Sequence, residues 1–169
     1  LTVSGNATKT AIGKTTVNNL TKVNSSELLV AETLDTAVPN IFIANKGINV
    51  TGTGKFHLEN NANLLQDITA ANGTSTIILD RKAKGPDKGY NYWSSPVGGQ
   101  LLHGAFSGAT YDGILQYNEA TDFFVRTSDV NFVTGKGYAM KGVGASAGKT
   151  FTFSGTPNNG DLSTPSLGF

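Results

Sequence analysis

The chain has 169 residues, of which 13 are Lys or Arg and 12 are Asp or Glu, so its formal net charge is only +1. This balance gives no electrostatic reason to expect nucleic acid or a membrane surface as a partner. The lack of cysteine excludes disulfides, zinc–thiolate sites, iron–sulfur clusters and a cysteine nucleophile. Charged residues make up only 15% of the chain, whereas Gly, Thr, Asn and Ser together supply 70 residues. This composition favours many short strands joined by turns over a helical bundle.

Residues 1–80 are predicted to form a unit of short β-strands. Apolar residues occur in alternating pairs, and each pair fits a strand with one buried face. Gly and Asn, which tolerate positive φ, separate the pairs and can turn the chain. The spacing between successive pairs is typical of a short-strand meander or of the rungs of a β-solenoid, and the repeat does not choose between them. The clearest pairs are Ile41/Ile43, Ile48/Val50, Phe56/Leu58 and Ile77/Leu79.

A basic segment at residues 81–89 interrupts this alternation. Four of the 13 basic residues fall within the eight positions from Arg81 to Lys88. No aromatic side chain interleaves with these charges, as a platform for single-stranded nucleic acid would require. We therefore interpret the segment as a solvated loop between two β units.

Residues 90–169 contain thirteen of the fifteen aromatic side chains and are predicted to form an aromatic-rich antiparallel β-sandwich unit, complete or incomplete. The connection at residues 119–122 fits a hairpin between two of its strands. The fold expected for the whole chain is all-β, with a short-strand meander or β-solenoid-like N-terminal half followed by an antiparallel β-sandwich-like half. The predicted strands of the second half are 114–117, 123–126, 138–140 and 150–153.

Three motifs follow one another in the second half: YNYWSSPV at 90–97, TGKGYAM at 134–140 and FSGTPNNGD at 153–161. Their order and spacing resemble a module of large secreted surface proteins of flavobacteria and related Bacteroidota. The stretch LENNANLLQ at 58–66 is similar to the segment that precedes the tryptophan motif in that module. The sorting domain of such proteins and the segment that usually continues after the third motif are not found in this sequence.

The resemblance implies export through the type IX secretion system and a location on the outer face of a Gram-negative outer membrane. It also implies a non-enzymatic role in adhesion, in gliding-associated filaments or as a structural stalk. The expected partners are protein or glycan at the cell surface and, during export, the secretion machinery. No stretch approaches the ~18 apolar residues of a membrane span, so membrane insertion is not expected. Because the sequence begins in strand-like alternation and ends on an apolar residue, we expect a longer secreted polypeptide.

Trp93, the only tryptophan, is flanked by Tyr90 and Tyr92. In an extended strand the two tyrosines share one face and Trp93 takes the other. Such rings can form a platform for sugars, which stack their C–H faces on aromatic surfaces, or they can anchor the core of a small β domain. We expect a core position for Trp93. A carbohydrate-binding module that uses Tyr90, Tyr92 and Trp93 is the alternative function, and an accessory domain of a secreted hydrolase is a further one.

The other candidate residues form no catalytic or metal-binding constellation, so no cofactor is expected. His57 and Glu59 are predicted to share the solvent face of one strand, but two ligands are too few for a metal site. His103 has no carboxylate within eight residues. The tripeptide at 35–37 resembles the acceptor motif for O-glycans in Bacteroidota, which makes Thr36 a candidate glycosylation site.

Overall fold

The computed structural model of the chain describes residues 1–35, 37–83, 89–105, 113–141 and 150–162. Within these ranges the fold is all-β, as expected, with four sheets and a single helical turn, α1 (Leu102–Ala105). The strands are only two to six residues long, in keeping with the abundance of Gly and Asn between them.

The N-terminal half is a three-sided parallel β-solenoid. Each strand pairs in parallel with the equivalent strand of the next coil, in the orders β1-β4-β7, β2-β5-β8 and β3-β6-β9. A meander would instead pair consecutive strands antiparallel, so the solenoid is the correct one of the two expected arrangements. The strands are β1 (Thr2–Val3), β2 (Lys9–Ala11), β3 (Lys14–Val17), β4 (Thr21–Val23), β5 (Glu27–Val30), β6 (Ile41–Ala44), β7 (Ile48–Val50), β8 (Lys55–Leu58) and β9 (Asn63–Leu65).

The solenoid interior is built from apolar side chains that point inward at every second position. Phe42 of β6 and Phe56 of β8 are fully buried, and their rings meet edge to face with centroids 5.2 Å apart. The prediction that Ile41 and Ile43 form the buried face of β6 is wrong, because Phe42 and Ala44 point inward and the two isoleucines are only partly buried. All four residues of β6 are apolar, so alternation alone could not set its phase.

Side chains replace missing strand partners at the last coil. The backbone N–H of Ile48 donates to Asn72 Oδ1 at 3.1 Å, and that of Val50 donates to Ser75 Oγ at 2.9 Å. Both acceptors are buried. The outer edge of β7 is therefore satisfied without a further strand, which protects it from pairing with another chain.

Six further strands follow the nine described above, and the first of them, β10, continues the solenoid. β10 pairs in parallel with β8 on one side and antiparallel with β15 on the other, giving a five-stranded sheet in the order β15-β10-β8-β5-β2. The remaining strands form an antiparallel sheet in the order β11-β14-β12-β13. The six strands are β10 (Ile77–Lys82), β11 (Tyr90–Trp93), β12 (Ile114–Asn118), β13 (Phe123–Arg126), β14 (Tyr138–Lys141) and β15 (Thr150–Gly155).

β10 extends into the segment that the sequence predicted as a solvated loop. Arg81 points inward, and its guanidinium donates to the carbonyl oxygens of Glu59 and Ala62 at 3.2 and 2.8 Å. Lys82 reaches Glu32, with Nζ 2.7 Å from Oε1. Both residues thus belong to the strand, and residues 84–88 of the predicted loop lie outside the described ranges.

Candidate functional site

The outer face of the four-stranded sheet carries an exposed row of aromatic rings. Tyr92 is 72% exposed, and Phe124 and Tyr117 are each 45% exposed. Tyr92 lies opposite Ala139 of β14, Ala139 lies opposite Leu115 of β12, and Tyr117 lies opposite Phe124 of β13. Because residues paired across a sheet share a face, all of these side chains are on the same side. We call Tyr92, Phe124 and Tyr117 the aromatic row.

Phe124 contacts both of the other rings in the aromatic row. The centroids of Tyr92 and Phe124 are 6.0 Å apart with planes inclined at 49°, and those of Phe124 and Tyr117 are 5.3 Å apart at 64°. Tyr92 and Phe124 come from opposite edges of the sheet, so their rings must lean across the two strands between them. The small side chain of Ala139 allows this approach, and Ala139 is only 3% exposed although it faces outward.

Polar groups border one end of the aromatic row. The hydroxyl of Tyr117 donates to Asp122 Oδ1 in the turn between β12 and β13. This hydrogen bond to a carboxylate raises the pKa of Tyr117, because ionising the phenol would place two negative charges together. Arg126 lies on the same face, opposite Leu115. The row therefore has a fixed hydroxyl and charges of both signs beside it.

The sequence-predicted platform is divided between the two faces of this sheet. Tyr90 and Tyr92 lie on the outer face, and Tyr90 is also exposed. Trp93 lies on the inner face, where its ring contacts Phe151 and Phe153 of β15 at centroid distances of 5.3 and 6.0 Å. The strand alternation predicted this division, and Trp93 is partly buried, with its ring packed against the core. Thr36, the candidate glycosylation site, lies outside the described residues.

Sequence reasoning did not include Phe124 and Tyr117 in the platform. They lie about 30 residues beyond Tyr92 in the chain, and only the strand order β11-β14-β12-β13 brings them to it. Strand order depends on packing among all four strands and leaves no local signal in the sequence. The available hint was the placement of Tyr117 and Phe124 in two strands joined by a predicted hairpin, which the pairing of β12 with β13 confirms.

A second polar cluster lies on the outer face of the solenoid sheet, across β5, β8 and β10. His57 Nδ1 is 3.1 Å from Glu27 Oε1, and its Nε2 is 2.9 Å from Asp80 Oδ2. The hydroxyl of Thr8 donates to Glu27 at 3.1 Å, and that of Thr152 donates to Asp80 at 2.7 Å. A neutral imidazole has one N–H and donates to one carboxylate at a time, whereas the protonated ring donates to both.

The neighbours of His57 differ from those that the sequence predicted. Glu59, expected beside it, instead accepts a hydrogen bond from the backbone N–H of Glu32 at 2.8 Å. Glu27 and Asp80 bind opposite sides of the imidazole and do not converge on one point. Among the residues that the structure describes, no group of three or more His, Cys, Asp or Glu side chains could hold a metal ion. No helix in the described ranges is long and apolar enough to cross a membrane.

A family model matches nearly the whole sequence. Residues 2–168 match a family model described as Domain of unknown function (DUF8693). Neither the curated proteins nor the solved structures contain a match to this chain. The matched region includes both the solenoid and the aromatic-rich half. The chain therefore belongs to the DUF8693 family.

Proposed function

We propose that this chain is a non-enzymatic structural or adhesive module of a large secreted bacterial surface protein exported by the type IX secretion system. The observation that carries the proposal is the single sheet β15-β10-β8-β5-β2, which joins the solenoid to the aromatic-rich half. A solenoid is a stack in which each coil contacts its neighbours, so it acts as a spacer. A shared sheet holds the second half in a fixed orientation at the end of that spacer.

The composition and the motifs support the same role. Few charges and abundant Thr, Asn and Gly are typical of extracellular β proteins, and they keep long-range charge effects small. The three ordered motifs of the second half resemble those of type IX substrates. Two of them supply strands of the sheet that carries the aromatic row, at β11 and β14. The module therefore combines a spacer with an exposed contact surface.

Surface labelling in the native bacterium tests the location. We expect antibodies against the module to label intact cells, and we expect external protease to remove the signal. In a strain that lacks the type IX outer-membrane translocon, the label should be lost from the surface and the protein should accumulate inside the cell. Labelling that appears only after lysis, or that persists in the translocon mutant, would contradict the proposed export.

A domain replacement tests the role. The module is exchanged for a flexible Gly/Ser linker within the full-length protein, and attachment of cells to a surface is measured. We expect attachment to fall while the amount of protein at the cell surface stays constant. Unchanged attachment at equal surface amount would refute the structural or adhesive role. A carbohydrate-binding module is the second candidate function, favoured by the exposed aromatic row.

A further inference from the structure

We propose that the aromatic row is the adhesive contact of this module and that its ligand is a neutral glycan, which stacks its sugar rings on Tyr92 and Phe124. This inference rests on the adhesive function proposed above and names the ligand class of that surface. It also moves the contact from the Tyr90–Trp93 strand alone to three strands of the sheet, because Phe124 and Tyr117 complete the surface and Trp93 lies on the opposite face.

The size of the surface favours a small ligand over a folded protein. With Tyr90, the aromatic row exposes about 400 Å² of ring surface, taking roughly 200 Å² as the area of one such side chain. Patches of this size are often functional sites on monomeric proteins. A stable protein–protein interface needs about 800 Å² from each partner, which is about twice what the rings offer. A short stretch of an oligosaccharide needs much less.

The chemistry of the rings suits a sugar. The C–H groups on a pyranose face carry partial positive charge and are attracted to the electron-rich face of an aromatic ring. Successive centroids in the aromatic row are 6.0 and 5.3 Å apart, a spacing comparable with the width of one pyranose. The hydroxyl of Tyr117 and the carboxylate of Asp122 lie at the end of the row, where they can bond to sugar hydroxyls.

The charges beside the aromatic row and the rigidity of its rings favour a neutral ligand that binds a preformed surface. Asp122 and Glu119 lie near Tyr117, and Arg126 lies on the same face, so charges of both signs border the row and no field of a single sign attracts an ionic polymer. The rings support one another, and the Tyr117 hydroxyl is held by Asp122. Aromatic side chains with few rotatable bonds lose little entropy on binding, which makes such a surface effective even for a weakly attracted ligand.

Titration calorimetry on the full chain tests this assignment with three neutral probes: cellohexaose, laminarihexaose and xylohexaose. We expect at least one of them to bind. Tyr92→Ala and Phe124→Ala should each weaken that binding about tenfold or more, since each removes an anchoring ring. Tyr92→Phe keeps the ring and should retain most of the affinity. Phe123→Ala is the matched control, because Phe123 is 70% exposed but lies on the other face of β13, and it should leave binding unchanged.

Three results would overturn the assignment. The first is that no probe binds at millimolar concentration. The second is that a probe still binds the double variant Tyr92→Ala/Phe124→Ala. The third is that the chain self-associates and that this double variant abolishes the self-association, which would make a second copy the occupant. Circular dichroism of each variant checks that it is folded. If the calorimetry fails while the domain replacement still lowers cell attachment, the glycan assignment is wrong and the adhesive function stands.

Discussion

Replacing Phe56 with Ala is expected to remove a large part of the stability of the solenoid. Phe56 is fully buried in β8 and packs edge to face against Phe42. Truncating a buried Phe to Ala typically costs about 3–5 kcal/mol, because the lost transfer free energy is joined by the cost of the cavity. The aromatic pair contributes about 0.5–1.5 kcal/mol beyond its buried area, which favours the upper half of that range. We therefore expect a loss of about 4 kcal/mol.

The matched control is Phe123→Ala, which removes the same atoms from a side chain that is 70% exposed. It should change the free energy of unfolding by less than about 1 kcal/mol. Urea unfolding followed by circular dichroism gives both values, and the midpoint should fall with little change in slope. Equal shifts for the two variants, or a larger shift for Phe123→Ala, would refute the placement of Phe56 in a packed interior.

Three further outcomes are expected from the second half. Trp93 is partly buried against the core, so its emission should be blue-shifted and largely resist iodide, and Trp93→Ala should cost about 3 kcal/mol, the lower end of the range for a buried Trp. A red-shifted, fully quenched emission would contradict its packing against the core. Burial and the nearby Asp129 carboxylate raise the pKa of Tyr138 above its ordinary value of 10.0. The contribution of Tyr138 to stability should therefore be complete below pH 10 and be lost as the pH rises further. Tyrosinate absorbance should appear together with this loss. Burial is the largest influence and raises the pKa of Asp129, but hydrogen bonds from Lys136 and Tyr138 outweigh it and lower the pKa below 3.8. The contribution of Asp129 to stability should therefore be present above about pH 4 and be lost on acidification. Asp129→Asn should flatten the acid side of the curve of stability against pH, and an unchanged curve would count against the reasoning.

Alternation and turn residues were enough to predict the fold class and several strand faces. Phe56 and Leu58 are buried together because polar Lys55 and His57 fix the phase of β8. Ile77 and Leu79 are buried together because Asp80 marks the face that it shares with Ile78 as the outer one. Where a strand is apolar throughout, as around Phe42, the side chains of the neighbouring coil decide which alternate residues point inward. The sequence repeat was too irregular to separate solenoid from meander, since the coils have unequal lengths. One coil leads from Thr2 to its partner Lys22 and another leads from Lys14 to its partner Ile41, and the two coils differ in their number of residues.

The candidate site was predictable only along a single strand. Alternation correctly separated Tyr92 from Trp93, because successive side chains in a strand point to opposite faces. Phe124 joins Tyr92 through contacts that span the width of the sheet, and such contacts follow from strand order rather than from spacing. The pairing of His57 with Glu27 and Asp80 was missed for the same reason, since both carboxylates belong to neighbouring strands of the sheet.

The pairing of β10 with β15 also sets an order of events during folding. Each coil of the solenoid can add to the one before it, but β10 receives its second neighbour only from a strand much later in the chain, with Leu79 paired to Phe153. Contacts between such distant segments form slowly, because a long intervening chain must first be closed into a loop. Until then the β10 edge is open and can template pairing with another chain. We therefore expect chains that end before Thr150 to aggregate from this edge, even though every solenoid coil is present.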